Sequence, residues 1–108
     1  MKNLFGNIFS GIPEFSVEER FEDIFNSSPV RIERIVSYGN VSPEGFWYDQ
    51  DRSEWVILLD GKASILFENI EEPTVLNPGD YIFIPPHAKH RIGHTSNEMP
   101  TVWLAVHF

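Results

Sequence analysis

The chain contains no cysteine, so disulfide bonds and thiolate chemistry are excluded. Basic residues are also scarce, because eight Lys and Arg stand against sixteen Asp and Glu and give a formal net charge of −8. This charge repels a phosphate backbone, and no local Lys/Arg cluster opposes it, so nucleic acid is not expected as a partner. No segment is apolar and long enough for a signal peptide or a membrane span. We therefore expect a cytoplasmic protein without a membrane partner.

Familiar catalytic motifs are missing as well. The sequence has no phosphate-binding glycine loop, no dinucleotide fingerprint and no recognisable nucleophile motif, so it identifies no substrate. What it does have is 108 residues, of which 42% are hydrophobic and 14% aromatic. This composition predicts one domain, residues 1–108, with a core that needs no covalent cross-link.

Residues 1–29 are predicted to form an irregular arm followed by one short helix. Ser16 and Glu19 have the spacing of a capping box, in which a serine N-cap is followed three residues later by glutamate. Apolar residues then follow at helical spacing, namely Val17, Phe21, Ile24 and Phe25. We expect the helix to end near residues 26–29.

Residues 30–108 have the pattern of a β-barrel. Val30 to Glu33 alternates apolar and charged residues, which predicts a half-solvated strand. Trp55 to Leu59 is continuously apolar, so this strand needs cover on both faces. Asp60-Gly61 predicts a hairpin that joins it to an antiparallel strand over residues 63–67. With further strands at 46–50, 81–84 and 101–108, the chain is predicted to be an all-β sandwich or closed jelly roll.

A candidate site lies between Asn77 and His94. It opens with the turn Asn77-Pro78-Gly79-Asp80, continues as a strand and is stopped by two prolines, Pro85 and Pro86. Three of the four histidines in the chain then follow, at His87, His90 and His94. Rigid turns on both sides of a strand, followed by a histidine cluster, indicate a binding site.

Two stretches of the sequence resemble the paired motifs of the cupin superfamily. Glu54 followed by six residues and Gly61 resembles the end of G-x5-H-x-H-x3,4-E-x6-G. Gly79, five residues, Pro85 and then His90 resemble G-x5-P-x-G-x2-H-x3-N. The resemblance implies a double-stranded β-helix (the cupin jelly-roll barrel) whose interior binds a divalent metal, usually through three histidines and one glutamate.

The sequence departs from this pattern at the two histidines of the first motif. Depending on the spacer, those positions fall on Tyr48 and Gln50 or on Trp47 and Asp49. Either pair shares one face of a strand. We favour Tyr48 and Gln50 as the inward pair, because both offer oxygen donors and tryptophan cannot bind a metal. In the second motif, His87 replaces the glycine and His94 the asparagine.

The candidate metal ligands are therefore Gln50, Glu54 and His90, with Tyr48 or His87 as a further member. Such mixed oxygen and nitrogen donors suit Mn, Fe, Ni or Zn without distinguishing them. His94 would stand roughly 13 Å from His90 along an extended strand, too far to share an ion without a bulge. The alternative is structural, with Glu54 merely beginning a strand and His90 satisfied within the barrel.

The substrate pocket is predicted to be lined mainly by aromatic residues, namely Tyr48, Tyr81, Phe83, Trp103 and His107. Such a lining favours a flat or partly apolar small-molecule ligand. Lys89 and Arg91 flank His90 and could hold a carboxylate or phosphate if they faced the pocket, but strand alternation directs both outward.

Three functions are compatible with these residues. The first is a metal-dependent enzyme such as an oxygenase, isomerase or decarboxylase. The second is a non-catalytic module that binds a small molecule, and the third is a structural barrel with an empty site. We also expect a homodimer, with the apolar N-terminal arm and the last strand, residues 102–108, as contact surfaces.

Overall fold

The structure is a computed structural model that describes residues 5–108, so the first four residues of the predicted arm lie outside the described residues. Within that range the chain forms eight strands and no helix. Accordingly, no helix among these residues is long and apolar enough to cross a membrane. The strands are β1 (Arg20–Ser27), β2 (Val30–Ser37), β3 (Glu54–Asp60), β4 (Ala63–Phe67), β5 (Thr74–Leu76), β6 (Tyr81–Ile84), β7 (His90–Thr95) and β8 (Thr101–His107).

The strands form two antiparallel sheets that enclose the core. One sheet has the order β1-β2-β8-β3-β6 and the other has the order β5-β4-β7. The core cluster takes side chains from both sheets, including Leu58, Trp103 and Ala105 from the first and Ile65 and Leu76 from the second. The predicted all-β jelly roll is therefore confirmed. β3 lies between β8 and β6, with Val56 and Leu58 buried in the core. Trp55, Ile57 and Leu59 on its other face are only partly buried, so the predicted cover on both faces is incomplete.

The predicted hairpin at Asp60-Gly61 is wrong, although both flanking strands are present. β3 pairs with β6 and β8, whereas β4 pairs with β5 and β7. Both edges of β3 are thus occupied, and β4 cannot join it. The turn carries the chain from one sheet to the other.

The predicted helix is also wrong, because the segment forms β1. It pairs with β2 along its whole length, with Phe21 opposite Ile35 and a register shift between Asp23 and Phe25. All eight residues of β1 are exposed, so the apolar spacing does not mark a buried helix face. Ser16 does not cap a helix either, since its hydroxyl donates a hydrogen bond to the carbonyl oxygen of Glu18 (2.8 Å).

Residues 46–50 form only one β-bridge instead of the predicted strand. Tyr48 and His90 exchange backbone hydrogen bonds of 2.7 and 3.1 Å, and the amide of His87 donates to the carbonyl of Gln50 (2.7 Å). The segment is therefore held against the beginning of β7. This contact brings the first histidine position of the first motif, Tyr48, next to the histidine of the second motif, His90.

The turn between the sheets depends on Gly61. Its φ is +90°, and a Cβ at this position would lie 2.6 Å from the Cα of Thr101. Gly79 has nearly the same φ, +93°, but a Cβ there would have open space around it, with no atom of a non-adjacent residue within 4 Å. An alanine at Gly79 would therefore suffer backbone strain alone, whereas an alanine at Gly61 would suffer the same strain and also a steric overlap with Thr101.

We expect Gly79→Ala to cost about 1–2 kcal/mol, the usual penalty of a left-handed backbone for an L-residue. Gly61→Ala should lower the free energy of unfolding by about 1–3 kcal/mol more, because the backbone of β8 must also move. Urea denaturation of the two variants and the parent measures the difference. Equal losses of unfolding free energy in the two variants would show that the overlap with Thr101 does not destabilise the protein.

Candidate functional site

A cavity of about 280 Å³ lies between the two sheets. Its apolar lining residues come from both sheets and are Phe21, Ile35, Val56, Ile65, Ile84, Ile92 and Trp103. Its polar lining residues are Glu19, Arg31, Glu33, Tyr48, Gln50, Glu54, His90 and His107. A cavity that combines apolar side chains with convergent polar groups is typical of a small-molecule site.

The register of the larger sheet places polar side chains of three strands side by side. Arg31 of β2 is opposite His107 of β8, and His107 is opposite Glu54 of β3. Directly opposed residues on one face of an antiparallel pair have Cβ atoms about 4.5–5.5 Å apart. The three side chains therefore form one row on the cavity floor.

His90 approaches this row from the smaller sheet. Its Nδ1 lies 2.8 Å from the carbonyl oxygen of Ala88, which can only accept a hydrogen bond, so Nδ1 carries the proton. In the neutral imidazole, Nε2 then presents a lone pair, and it lies 3.9 Å from Oε1 of Glu54. This distance is too long for a hydrogen bond.

Glu54 is a buried carboxylate with few partners. Its side chain accepts one hydrogen bond from Nε2 of Gln50 (3.1 Å), and the residue is only 7% exposed. Burying a carboxylate without a compensating cation is costly. The lone pair of His90 faces the same space, so the corner formed by Gln50, Glu54 and His90 is rich in electron-pair donors.

Tyr48 packs against His90 and remains a phenol. The two rings are stacked, with centroids 5.4 Å apart and an interplanar angle of 25°. Burial raises the pKa of the Tyr48 hydroxyl, and the negative charges of Glu19, Glu54 and Glu33 raise it further. A phenol is a weak metal ligand but a good hydrogen-bond donor, so Tyr48 is better suited to contact a bound molecule.

Several residues predicted for the site lie outside the cavity. The His87 side chain is 68% exposed, and its Nδ1 contacts Oδ1 of Asp49 at 2.8 Å. Its φ of +62° turns the backbone at the end of the Pro-Pro segment. Tyr81 and Phe83 are exposed because alternation along β6 directs Ile82 and Ile84 inward instead.

The smaller sheet contains an irregularity that separates His94 from His90. Ser64 pairs with His94 and the next residue, Ile65, pairs with Ile92, so Gly93 is the extra residue of a bulge. The bulge inverts the alternation, and His94 is exposed while His90 is buried. Of the predicted pocket residues, Tyr48, Trp103 and His107 do line the cavity.

Three charged residues that line the cavity were not predicted as site residues from the sequence. The alternation in β2 predicted that Arg31 and Glu33 face solvent, but both line the cavity, and Glu33 is 6% exposed. Glu19 enters from the segment before β1, where its carboxylate accepts a hydrogen bond from the Ser37 hydroxyl. The alternation of apolar and charged residues correctly indicates a strand at β2, but it does not say which face of the strand points into the barrel.

The residues present provide a restricted donor set for a metal. Among residues 5–108, no three His, Asp or Glu side chains are clustered as metal ligands. The imidazole of His90 and the carboxylate of Glu54 are nevertheless suitable donors, and Gln50 can add an amide oxygen if its terminal amide is turned over. This set fits a divalent cation with open coordination positions.

The fold and the cavity define a jelly-roll barrel protein with a polar internal site. A sequence model of the family described as Cupin domain matches residues 38–107. A crystal structure of a candidate mannose-6-phosphate isomerase from Ralstonia eutropha JMP134 has a TM-score of 0.93, with 43% identity over 95% of each chain. The chain therefore belongs to the cupin family.

More distant structures share the fold alone. A cupin superfamily protein from Desulfitobacterium hafniense DCB-2 has a TM-score of 0.72 and 19% identity, over 88% of this chain and 81% of that one. The DMSP lyase DddQ from Ruegeria pomeroyi DSS-3 has a TM-score of 0.68 and 20% identity, over 82% and 46% respectively. No curated protein matches the chain.

The pKa of Glu19 leads to a prediction about stability. Burial raises this pKa, the Ser37 hydrogen bond lowers it by less, and the charge of Glu33 raises it again. A raised folded-state pKa means that the folded protein loses stability as the pH rises from the ordinary value through the folded value. Above the folded-state pKa, the ionised Glu19 lowers the stability of the folded protein by its full amount.

We therefore expect Glu19→Gln to raise the melting temperature at about pH 8, with a gain that fades as the pH falls to about 4. Glutamine is neutral throughout and can still accept the Ser37 hydrogen bond. Thermal unfolding at several pH values measures the effect, with Glu18→Gln as the control for net charge. A lower melting temperature of Glu19→Gln at about pH 8 would contradict the argument.

Proposed function

We propose that the barrel cavity binds a divalent cation together with a small organic molecule, and that the cation is held by Glu54, His90 and Gln50. The observation that carries this proposal is the buried Glu54 carboxylate, which faces the Nε2 lone pair of His90 across 3.9 Å. Two electron-pair donors that cannot hydrogen-bond to each other are best satisfied by a cation between them.

The surrounding contacts support the same arrangement. Ligating histidines usually donate their other ring N–H to a carbonyl or carboxylate, as His90 does to Ala88. Mn, Fe, Ni and Zn all accept such mixed nitrogen and oxygen donors. When bound with few protein ligands, an ion of this kind polarises a carbonyl or hydroxyl group at its open positions.

The protein's own residues would position the organic molecule. Tyr48 can donate a hydrogen bond, because its raised pKa keeps the hydroxyl protonated. The apolar side chains that line the cavity would exclude water and so strengthen its polar contacts. His107 lies beside Glu54 in the sheet register and can contact a molecule bound there.

Among the possible reactions, we favour isomerisation of a small hydroxylated molecule over oxygenation or decarboxylation. The support is the 43% identity, over 95% of each chain, to a protein named as a candidate mannose-6-phosphate isomerase. A non-catalytic binding module is the alternative. Turnover of a panel of hydroxylated aldehydes and ketones, followed by NMR, separates the two.

The proposed cation site can be tested directly. We expect EDTA-treated protein to bind one equivalent of Mn²⁺, Ni²⁺ or Zn²⁺ in titration calorimetry, and His90→Ala to abolish this binding because the imidazole donor is lost. His94→Ala is the matched control, since His94 lies on the same strand but is exposed beyond the bulge. It should bind like the parent.

Retention of full cation binding by His90→Ala would disprove the proposed ligand set. Equal losses in His90→Ala and His94→Ala would instead place the binding on the protein surface. Loss of folding is checked for each variant by circular dichroism and thermal unfolding.

We also propose that the protein forms a homodimer through β1. This strand is paired only with β2, all its residues are exposed, and its outer edge is free for hydrogen bonding within residues 5–108. Phe21, Ile24 and Phe25 add half-exposed apolar area beside that edge. The last strand offers no free edge for strand pairing, because β8 lies between β2 and β3.

Light scattering at micromolar concentration should show a dimer, and Phe25→Ser should weaken it at least about tenfold, since a buried Phe contributes about 1.5–3 kcal/mol. Val75→Ser is the control, because Val75 is 53% exposed on the edge of the smaller sheet and Phe25 is 52% exposed. A monomeric parent, or equal effects of the two variants, would refute a dimer through β1.

A further inference from the structure

Glu33 occupies a central position among the charged residues of the cavity. It is buried, and its two carboxylate oxygens contact different partners. Oε1 lies 3.2 Å from Nε2 of His107, and Oε2 lies 3.4 Å from NH1 of Arg31. Glu33 thus engages both basic groups on the β2 and β8 side of the cavity.

We propose that Glu33 determines the charge of the molecule that the cavity accepts, so that the ligand is an uncharged molecule rich in hydroxyl or N–H groups and not a phosphate or carboxylate. This inference rests on the proposed function in one respect, namely that a small organic molecule occupies the cavity. It adds the class of that molecule and the residue that selects it, and it distinguishes this ligand from the phosphorylated sugar in the name of the Ralstonia eutropha relative.

Arg31 is the one guanidinium that lines the cavity within residues 5–108, and it is already surrounded by carboxylates. NH1 lies 3.4 Å from Glu33 and 3.7 Å from Oδ1 of Asp23. An anionic ligand would have to displace Glu33 or bring a third negative charge to the same guanidinium. Like charges this close are strongly unfavourable in a partly buried site.

His107 is also already engaged by Glu33. Glu33 accepts the hydrogen bond of an Nε2–H group, so the neutral imidazole carries its lone pair on Nδ1. A nitrogen lone pair accepts hydrogen bonds and repels an oxyanion. The His90 ring also presents a lone pair, at Nε2, because its Nδ1 donates to Ala88.

The total charge of the cavity points in the same direction. Three carboxylates line it, from Glu19, Glu33 and Glu54, against the single guanidinium of Arg31. With both imidazoles neutral the formal charge is −2, and a divalent cation at Glu54 and His90 would bring it to zero. In neither state does the cavity have positive charge to spare for a phosphate.

The remaining basic residues near this end of the barrel point elsewhere. Nζ of Lys89 lies 3.9 Å from Oε2 of Glu68 at the surface. NH2 of Arg91 donates to the carbonyl oxygens of Ser42 (2.8 Å) and Pro43 (3.0 Å). The polar groups that line the cavity are therefore mainly hydrogen-bond acceptors, and an uncharged ligand with many donor groups would satisfy them.

The experiment uses inorganic phosphate as the probe and the full chain in metal-free buffer with EDTA. Two-dimensional NMR follows the side-chain nitrogens of Arg31 and His107. We expect no response in the parent. Glu33→Gln frees Arg31 of its buried counter-charge and should bind phosphate at least about tenfold more tightly, with shifts at both residues. Glu33→Gln combined with Arg31→Gln should lose that gain.

Glu22→Gln is the matched control. Glu22 pairs with Arg34 at 2.5 Å outside this cavity, so its replacement removes the same charge without freeing Arg31. Asp23→Asn, on the exposed β1, is a second variant that leaves the core intact and should give a smaller gain than Glu33→Gln. It keeps the test decisive if Glu33→Gln does not fold.

Phosphate binding at Arg31 in the parent would overturn the inference. So would a failure of both Glu33→Gln and Asp23→Asn to gain phosphate binding. Because the titration contains no metal, its result is independent of the cation site at Glu54 and His90, which is tested separately by calorimetry. Cation binding without the phosphate effect would therefore refute only the role of Glu33.

Discussion

The register of β8 between β2 and β3 determines which side chains share the cavity. It aligns Arg31, His107 and Glu54 in one row and, four residues earlier along β8, places Trp103 between Ile35 and Leu58. A slip of one residue would direct His107 away from the cavity and replace it with an apolar neighbour. The site therefore depends on the backbone pairing of β8 with both neighbouring strands and not on any single side chain.

The same register creates a cost, because it buries the carboxylates of Glu33 and Glu54, and Glu19 adds a third, partly buried carboxylate from the segment before β1. Desolvation disfavours each charge, and the raised pKa of Glu19 is one consequence of it. The apolar core compensates, since residues such as Leu58 and Ile65 are almost fully buried. Stability comes mainly from the apolar part of the barrel, whereas the polar row costs desolvation energy and forms the proposed ligand site.

The sequence allowed the barrel to be predicted because the two motifs have fixed spacing and several strands have clear boundaries. Glu54 and His90 could be selected for the same reason. Glu33 could not, because alternation in β2 is equally compatible with charged residues facing in or out. The sequence predicts a helix instead of β1 because Phe21, Ile24 and Phe25 are spaced as on one face of a helix. Pairing with β2 determines the actual structure of this segment.

A hydrogen-bonded chain connects the floor of the cavity to the segment before β1. Nε1 of Trp103 donates to the Ser37 hydroxyl (3.1 Å), which in turn donates to the carboxylate of Glu19. Ser37 is fully buried, so an unpaired group in this chain would be expensive. Glu19 therefore does two things at once. It holds the segment before β1 against β2, and it places a carboxylate near Glu33, in agreement with the proposed uncharged, donor-rich ligand.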